Sequence, residues 1–442
     1  MHRVSVGLQA ALYSLAGAAC FNPTASDETS STTTDTTGAT TSTSSPTLPT
    51  TGSSPAGTTD EPTADLPTTS DATTSTSDTT TTTITTAETT TADPSTTTGD
   101  GELQFIPRSP LQVPGALDLA TVRLDDDTLD DLAISSMTAS DLTYVFGTSI
   151  DMLHSFPAGK SFPLLAADAD GDGKRDDLLL GYDASPSSLH LLRNQGDATF
   201  EDLSTVLPAP CVRPVSIDAA DLDGDDQLDY VVACAEYATG VYFVPGDPDI
   251  GLSPAVPVEL GIRPTFVHLL DVFGGPQPDL VAPYLDTGKL LVFEGKAGGS
   301  FAIMNPLVLD VLAAAGTDLG RIDSDDLTDV AVSQLATDQC SILLHLLGGG
   351  LAPPQSFTCG PMVRDLALGD FNGDELADIA TIHLDLKLRI HVNNGDGTFA
   401  APLLYAIGSS AWRVTVGDYN GDDALDIAAS TLDEVYLFLQ DV

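Results

Sequence analysis

Asp168–Leu178 reads D-A-D-G-D-G-K-R-D-D-L, and variants of this phrase recur about every 50 residues to the C-terminus. The best copies are Asp221–Tyr230 (D-L-D-G-D-D-Q-L-D-Y), Asp370–Ile379 (D-F-N-G-D-E-L-A-D-I) and Asp418–Ile427 (D-Y-N-G-D-D-A-L-D-I). Each places carboxylates or an amide at relative positions one, three, five and nine. Each runs directly into an apolar, β-type stretch: Leu178–Leu180, Tyr230–Ala233, Ile379–Ile382 and Ile427–Ala429. Oxygen donors packed this densely suit a hard cation, calcium above all. Anchored on the ninth-position Asp, seven loops end at Asp130, Asp176, Asp229, Asp279, Asp329, Asp378 and Asp426, spaced 46 to 53 residues apart. A fixed period of this length marks a repeat architecture.

An EF-hand needs an acid at loop position twelve and a helix on each side. Position twelve here is Leu179, Val232, Thr381 or Ala429, and the flanks are short and β-branched. That reading fails on both counts.

Composition divides the 442 residues sharply. Residues 21–101 are mostly Thr, Ser, Asp, Pro and Ala, with no Lys or Arg between Arg3 and Arg108. Such a segment buries too little apolar area to offset its conformational entropy, so it is expected to be a disordered linker. As a flexible coil it would span roughly 50 Å. Residues 102–442 remain as the folded part, ample for a large core. The net charge of −48 argues against nucleic acid and anionic membrane surfaces as partners. Two carboxylates 4 Å apart repel by about 4 kcal/mol at an effective dielectric of 20, so loops holding three or four of them need a cation.

Residues 1–20 read as an export signal. Arg3 is followed by the mainly apolar Val4–Ala16 and then Leu15-Ala16-Gly17-Ala18-Ala19-Cys20. This resembles a bacterial lipoprotein signal with Cys20 as the lipidated residue, although Gly17 stands where Leu is usual. Conventional cleavage near Cys20 is the alternative. The expected location is therefore outside the cytoplasm, lipid-anchored at the cell surface or secreted. Four cysteines remain, Cys211, Cys234, Cys340 and Cys359, an even number that allows two disulfides. Cys340 and Cys359 lie symmetrically about a Gly-rich hairpin turn at 348–354, which favours pairing 340 with 359 and 211 with 234. Free buried thiols are the alternative.

One repeat reads as four strands: Met362–Gly369, Asp378–Ile382, Leu388–Val392 and Phe399–Ala406, with the turn Asn393–Thr398 before the fourth. Four short antiparallel strands repeated radially make a β-propeller blade. The chain stops after a third strand, Val435–Leu439, and the folded part opens with an orphan strand, Leu103–Ile106. Pairing the two completes the last blade and removes two exposed edges. The expected fold is all-β, a seven-bladed propeller of four-stranded blades.

The D-x-[DN]-x-D-G-x-x-D loops and N-x-G-D-G-T-F turns resemble the FG-GAP/VCBS repeat family, whose relatives include the integrin α-subunit propeller. The resemblance covers about residues 103–442. It implies that loop positions one, three, five and nine give side-chain oxygens to calcium. The implied ligands are Asp168, Asp170, Asp172 and Asp176 in loop two, and Asp221, Asp223, Asp225 and Asp229 in loop three. Loop six offers Asp370, Asn372, Asp374 and Asp378, and loop seven offers Asp418, Asn420, Asp422 and Asp426. The family prefers Gly at position six, which here is Gly173, Asp226, Glu375 and Asp423. Loop five has Asp323, Asp325 and Asp329 but Arg321 at position one, where a cation could replace the metal. Loop four has Phe273 and Gly275 between Asp271 and Asp279, and loop one keeps only Asp126 and Asp130 in register. No calcium is expected in loops one and four.

No H-E-x-x-H, G-x-S-x-G or P-loop is present. His268, His345 and His391 alternate with apolar residues and read as core or sheet-face histidines. One distribution stands out. Lys160, Arg213 and Arg263 each precede an acidic loop by eight residues, and Arg364 and Arg413 precede theirs by six and five, beside the only tryptophan, Trp412. On a propeller these segments converge opposite the calcium loops, where a cationic ring would suit a carboxylate or acidic sugar. The alternative is that they cap strands or offset neighbouring acids. The leading expectation is a monomeric, calcium-stabilised surface module binding a glycan or protein. The alternatives are an extracellular propeller-scaffold lyase or hydrolase and a purely structural surface protein.

Overall fold

The computed structural model describes residues 103–441, apart from 197, 210, 235–239 and 285–286. The export signal with Cys20 and the Thr-rich linker lie outside the described residues. Each acidic loop joins the first and second strands of a four-stranded antiparallel sheet, and there are seven such blades. Blade six runs Val363–Gly369, Asp378–His383, Lys387–His391 and Leu403–Ala406. Its fourth strand is shorter than the sequence predicts, because Phe399 instead bridges Asn393 to close the preceding turn. That turn holds Gly395 and Gly397 at φ 76° and 80°, the left-handed region that glycine enters at little cost.

The first strands are innermost. Ala116–Val122, Ser161–Ala167, Pro214–Ala220 and His268–Leu270 pack one against the next, and Ala314–Gly320, Val363–Gly369 and Ala411–Gly417 do likewise before returning to Ala116–Val122. Apolar side chains form seven cores, each shared by two neighbouring blades. The second strand of every blade is therefore buried on both faces. In Asp177–Tyr182, Leu178 and Leu180 join the core shared with blade one, and Leu179 the core shared with blade three. That is why the acidic loops run into unbroken apolar stretches and not into alternating ones.

Blade seven is Ala411–Gly417, Asp426–Thr431 and Glu434–Gln440, completed by the N-terminal strand. Phe105 faces Gln440, Ile106 faces Leu439 and Pro107 faces Phe438, and Leu111 then faces Val435. Phe105 is buried edge-on against Phe371 and Tyr405, which fixes this strand in the gap between blades six and seven. Cys211–Cys234 and Cys340–Cys359 are disulfides with Cα separations of 5.4 and 5.6 Å. Cys340 lies opposite Phe357, and Cys359 follows directly after the fourth strand of blade five, Gln355–Thr358.

Candidate metal loops and axial charge cluster

One carboxylate per blade ties the loop to the sheet. Asp229 accepts the Leu222 N–H at 2.9 Å on one oxygen and the Gly246 N–H at 2.9 Å on the other. Asp279, Asp329, Asp378 and Asp426 each do the same with the residue at loop position two and a residue at or just past the end of the third strand. In blades one and two this place is taken by Asp131 and Asp177, not by Asp130 and Asp176. The register read from sequence is thus one residue early there. Loop two is one residue longer than its siblings, and loop one reads Arg123-Leu-Asp125-Asp-Asp127-Thr-Leu-Asp-Asp131. Burial pushes Asp131, Asp177 and Asp378 up to about 6 and Asp426 to about 7, against the pull of the donated N–H groups.

Above this anchor the loop is organised by its acids. Asp370 Oδ1 accepts the N–H of Gly373 at 2.7 Å and of Asp374 at 3.1 Å, and its Oδ2 accepts that of Glu375 at 2.8 Å. Asp418 gathers Gly421, Asp422 and Asp423 in the same way. Position six is left-handed in loops two, three, five, six and seven: Gly173 at φ 89°, Asp226 at 65°, Asp326 at 64°, Glu375 at 71° and Asp423 at 65°. A β-unbranched acid tolerates this, at a cost glycine avoids.

These loops suit a hard cation. In loops two and three the carboxylate oxygens at positions one, three and five (Asp168, Asp170, Asp172; Asp221, Asp223, Asp225) lie within 4.8 Å of one another. Two oxygens that each contact one calcium ion at about 2.4 Å stand no more than about 4.8 Å apart. In loops six and seven the third-position Asn372 and Asn420 turn Nδ2 toward Asp374 and Asp422 at 3.0 Å, leaving two carboxylates and an amide as donors. Asp229, Asp378 and Asp426 already accept two N–H groups each, so their first role is anchoring. Asp176 sits beside this set in loop two and accepts Asn194 Nδ2 at 3.3 Å.

The predicted cationic ring is only partly brought together. Arg364 stacks on Trp412, with its guanidinium carbon 3.4 Å from the ring centroid. Arg413 turns toward the axis, 3.5 Å from Asp118 and 5.5 Å from the Phe162 ring centroid. Lys160 and Arg263 are exposed and Arg213 half-buried, in the segments that precede the first strands of blades two, four and three.

Sequence reasoning missed the axis itself. Asp118, Asp218, Asp318 and Asp365 sit on innermost strands, and each accepts a backbone N–H from the next blade: Leu164, Leu269, Leu368 and Val414. Cations stand between them. Arg413 lies between Asp118 and Asp365, whose carboxyl burial pushes up to about 6 against the Arg413 charge. His268 Nδ1 is 3.5 Å from Asp218 and feels Asp318 as well. An acid three or five residues before a loop was the available signal, at Asp218, Asp318, Asp118 and Asp365 alike. The loop acids masked it.

A separate polar relay crosses blade two. Ser188 Oγ lies 3.0 Å from His190 Nε2, and His190 Nδ1 lies 2.7 Å from Asp202 Oδ1. Tyr182 covers the imidazole at 3.9 Å between ring centroids.

Seven four-stranded blades around an axis, each with a loop between its first and second strands, define a seven-bladed β-propeller. Residues 168–232 and 370–429 match the family of FG-GAP-like repeats, so the propeller contains FG-GAP-like repeats over those residues. No curated protein matches the chain in sequence. Among solved structures it is similar to BBS1N, crystallised in complex with ARL6DN, at 13% identity and a TM-score of 0.52, covering 75% of this chain and 96% of that one. It is also similar to a catalytically inactive virginiamycin B lyase from Staphylococcus aureus with quinupristin, at 13% identity and a TM-score of 0.50, covering 76% and 99%. At such identities the likeness is one of fold.

Proposed function

We propose that this protein is a calcium-stabilised binding module displayed outside the cell, anchored through Cys20 or secreted, with a glycan or protein as its ligand. The observation that carries the reading is the convergence of three carboxylates in loops two and three, whose mutual repulsion a bound cation would offset. A propeller whose blades are clamped by metal loops is a rigid platform. The fold-level neighbour BBS1N, crystallised with ARL6DN, is a propeller that holds a protein partner. Excess chelator should lower the melting temperature of the full chain by several degrees, since a ligand at 100 times its dissociation constant adds about 2.7 kcal/mol per site. An unchanged melting curve removes calcium from the account. Glycan and protein arrays probed with and without calcium then identify the ligand class.

A second reading, a propeller-scaffold hydrolase, has one observation of its own. Ser188, His190 and Asp202 stand in the hydrogen-bond order of nucleophile, base and orienting acid. A fluorophosphonate probe should label Ser188 if that relay activates it. Absence of labelling, with chromogenic esters left intact, leaves the relay as a sheet-face hydrogen-bond chain.

A further inference from the structure

We propose that Arg123 and Arg321 are the resident cations of loops one and five, so that calcium is confined to loops two, three, six and seven. The proposal rests on the calcium reading of those four loops and adds what decides which loops take the ion.

With the anchor placed at Asp131, loop one has the same plan as loop five: Arg at position one, Asp at three and five, and the anchoring Asp at nine. Their internal hydrogen bonds coincide. Asp125 accepts the Asp127 N–H and Asp127 that of Leu129, as Asp323 accepts that of Asp325 and Asp325 that of Leu327. Both loops thus keep the two central carboxylates of the calcium-type loops and replace only the head.

The head residue and the turn change together. An Asp at position one gathers N–H groups from positions four to six, and this curls the chain through a left-handed glycine at position four. Gly171, Gly224, Gly274, Gly373 and Gly421 have φ of 73°, 87°, 74°, 76° and 77° in the five Asp-headed loops. An Arg at position one accepts nothing, and position four is then Asp126 or Ser324, neither of them left-handed. The pairing of head with turn holds in all seven loops. Two loop designs are present, and drift from a single one would not couple the two positions.

The arginines are engaged within the loop layer. Arg321 Nη2 lies 2.8 Å from Asp326, and its Nη1 reaches to 3.9 Å from Glu375 in loop six. Arg123 Nε lies 3.1 Å from Asp130. A guanidinium is a permanent positive charge with donors on several sides, so it offsets the acids at any physiological pH and repels an incoming divalent ion. Loop four lacks the cation and also the acids, with Phe273 and Gly275 at positions three and five.

Counting bound calcium on the full chain by flow dialysis tests this. The wild type should hold four ions, one for each Asp-headed loop with acidic or amide donors at three and five. Arg321→Asp with Ser324→Gly rebuilds an Asp head and its turn, and should hold five. Arg123→Asp with Asp126→Gly is the same conversion in loop one, used if the first variant does not fold by near-ultraviolet circular dichroism. More than four ions in the wild type overturns the proposal. Four ions in a folded conversion variant also overturns it, while leaving the calcium reading intact. Zero ions in the wild type removes the calcium reading and this proposal with it.

Discussion

Asp130 and Asp418 clasp one another across the seam where the ring closes. The Asp130 N–H donates to the Asp418 carbonyl at 3.0 Å, and the Asp130 carboxylate accepts the Asp418 N–H at 3.0 Å. Asp418 heads loop seven and Asp130 immediately precedes the loop-one anchor Asp131, so the last repeat is latched to the first through the loop layer as well as through the strand pairing of Phe105–Pro107. The other carboxylate oxygen of Asp130 takes the Arg123 guanidinium.

Asp130→Ala removes the half-buried carboxylate that accepts the Asp418 N–H and the Arg123 guanidinium, so it should cost about 1–3 kcal/mol. Because the latch acts at closure, the loss should appear mainly as earlier protease cutting near the N-terminal strand. Denaturant melts paired with limited proteolysis measure it. A melt identical to the wild type would mean that the strand pairing alone closes the ring.

The anchor register predicts an order of damage within two Asp-Asp pairs. Asp177→Ala strands the Ala169 and Asn194 N–H groups, whereas Asp176→Ala loses one amide contact. Each buried donor left unpaired costs about 1–3 kcal/mol and a lost amide contact about 1, so Asp177→Ala should exceed Asp176→Ala by at least about 1 kcal/mol in chelator. Measured without calcium, the comparison is independent of metal ligation. Equal losses would restore Asp176 as the anchor.

These pairs also mark where the sequence stopped being legible. The period, the blade count and the borrowed N-terminal strand could be read because they depend on spacing and on apolar runs, which are one-dimensional signals. The anchor could not be chosen by counting from the head, because loop two carries an extra residue and loop one an Arg head. The apolar run resolves it, since the anchor always directly precedes that run: Asp177 before Leu178, and Asp131 before Leu132. The axial acids were illegible for a different reason. Asp118 and Arg413 are 295 positions apart and meet only because innermost strands of different blades converge. No spacing rule within one repeat encodes that meeting.

His268 makes stability depend on pH in a stated direction. Burial opposes its charge, but the hydrogen bond and charge of Asp218, with the charge of Asp318 beyond it, outweigh burial and raise its pKa. Asp318 in turn feels Arg175 from blade two. A histidine raised above its unfolded value near 6.5 contributes stability that is complete below that pH and is lost as pH rises through the folded value. The gap in melting temperature between wild type and His268→Gln should therefore be widest near pH 6 and shrink toward pH 9. A gap that is constant with pH, or that widens on the alkaline side, would show that His268 is neutral in the fold.

The stack of Arg364 on Trp412 gives the face opposite the metal loops its own reporter, since Trp412 is the only tryptophan. Arg413 is a poor choice for testing that face. It stands between the buried Asp118 and Asp365, so Arg413→Ala should lower stability by about 1–3 kcal/mol whether or not a ligand binds there. Arg364 and Trp412 are half-buried side chains at the outer end of their strands, and a planar cation over an indole is a ready surface for a sugar ring or a carboxylate. Once an array names a ligand, titrating it should shift the Trp412 emission. Trp412→Ala and Arg364→Ala should each weaken binding about tenfold, the effect of losing roughly 1.4 kcal/mol, with no change in melting temperature in calcium. Unaltered affinity in both variants, joined to loss of binding when Asp221 or Asp370 is replaced by Asn, would put the ligand on the metal-loop face instead.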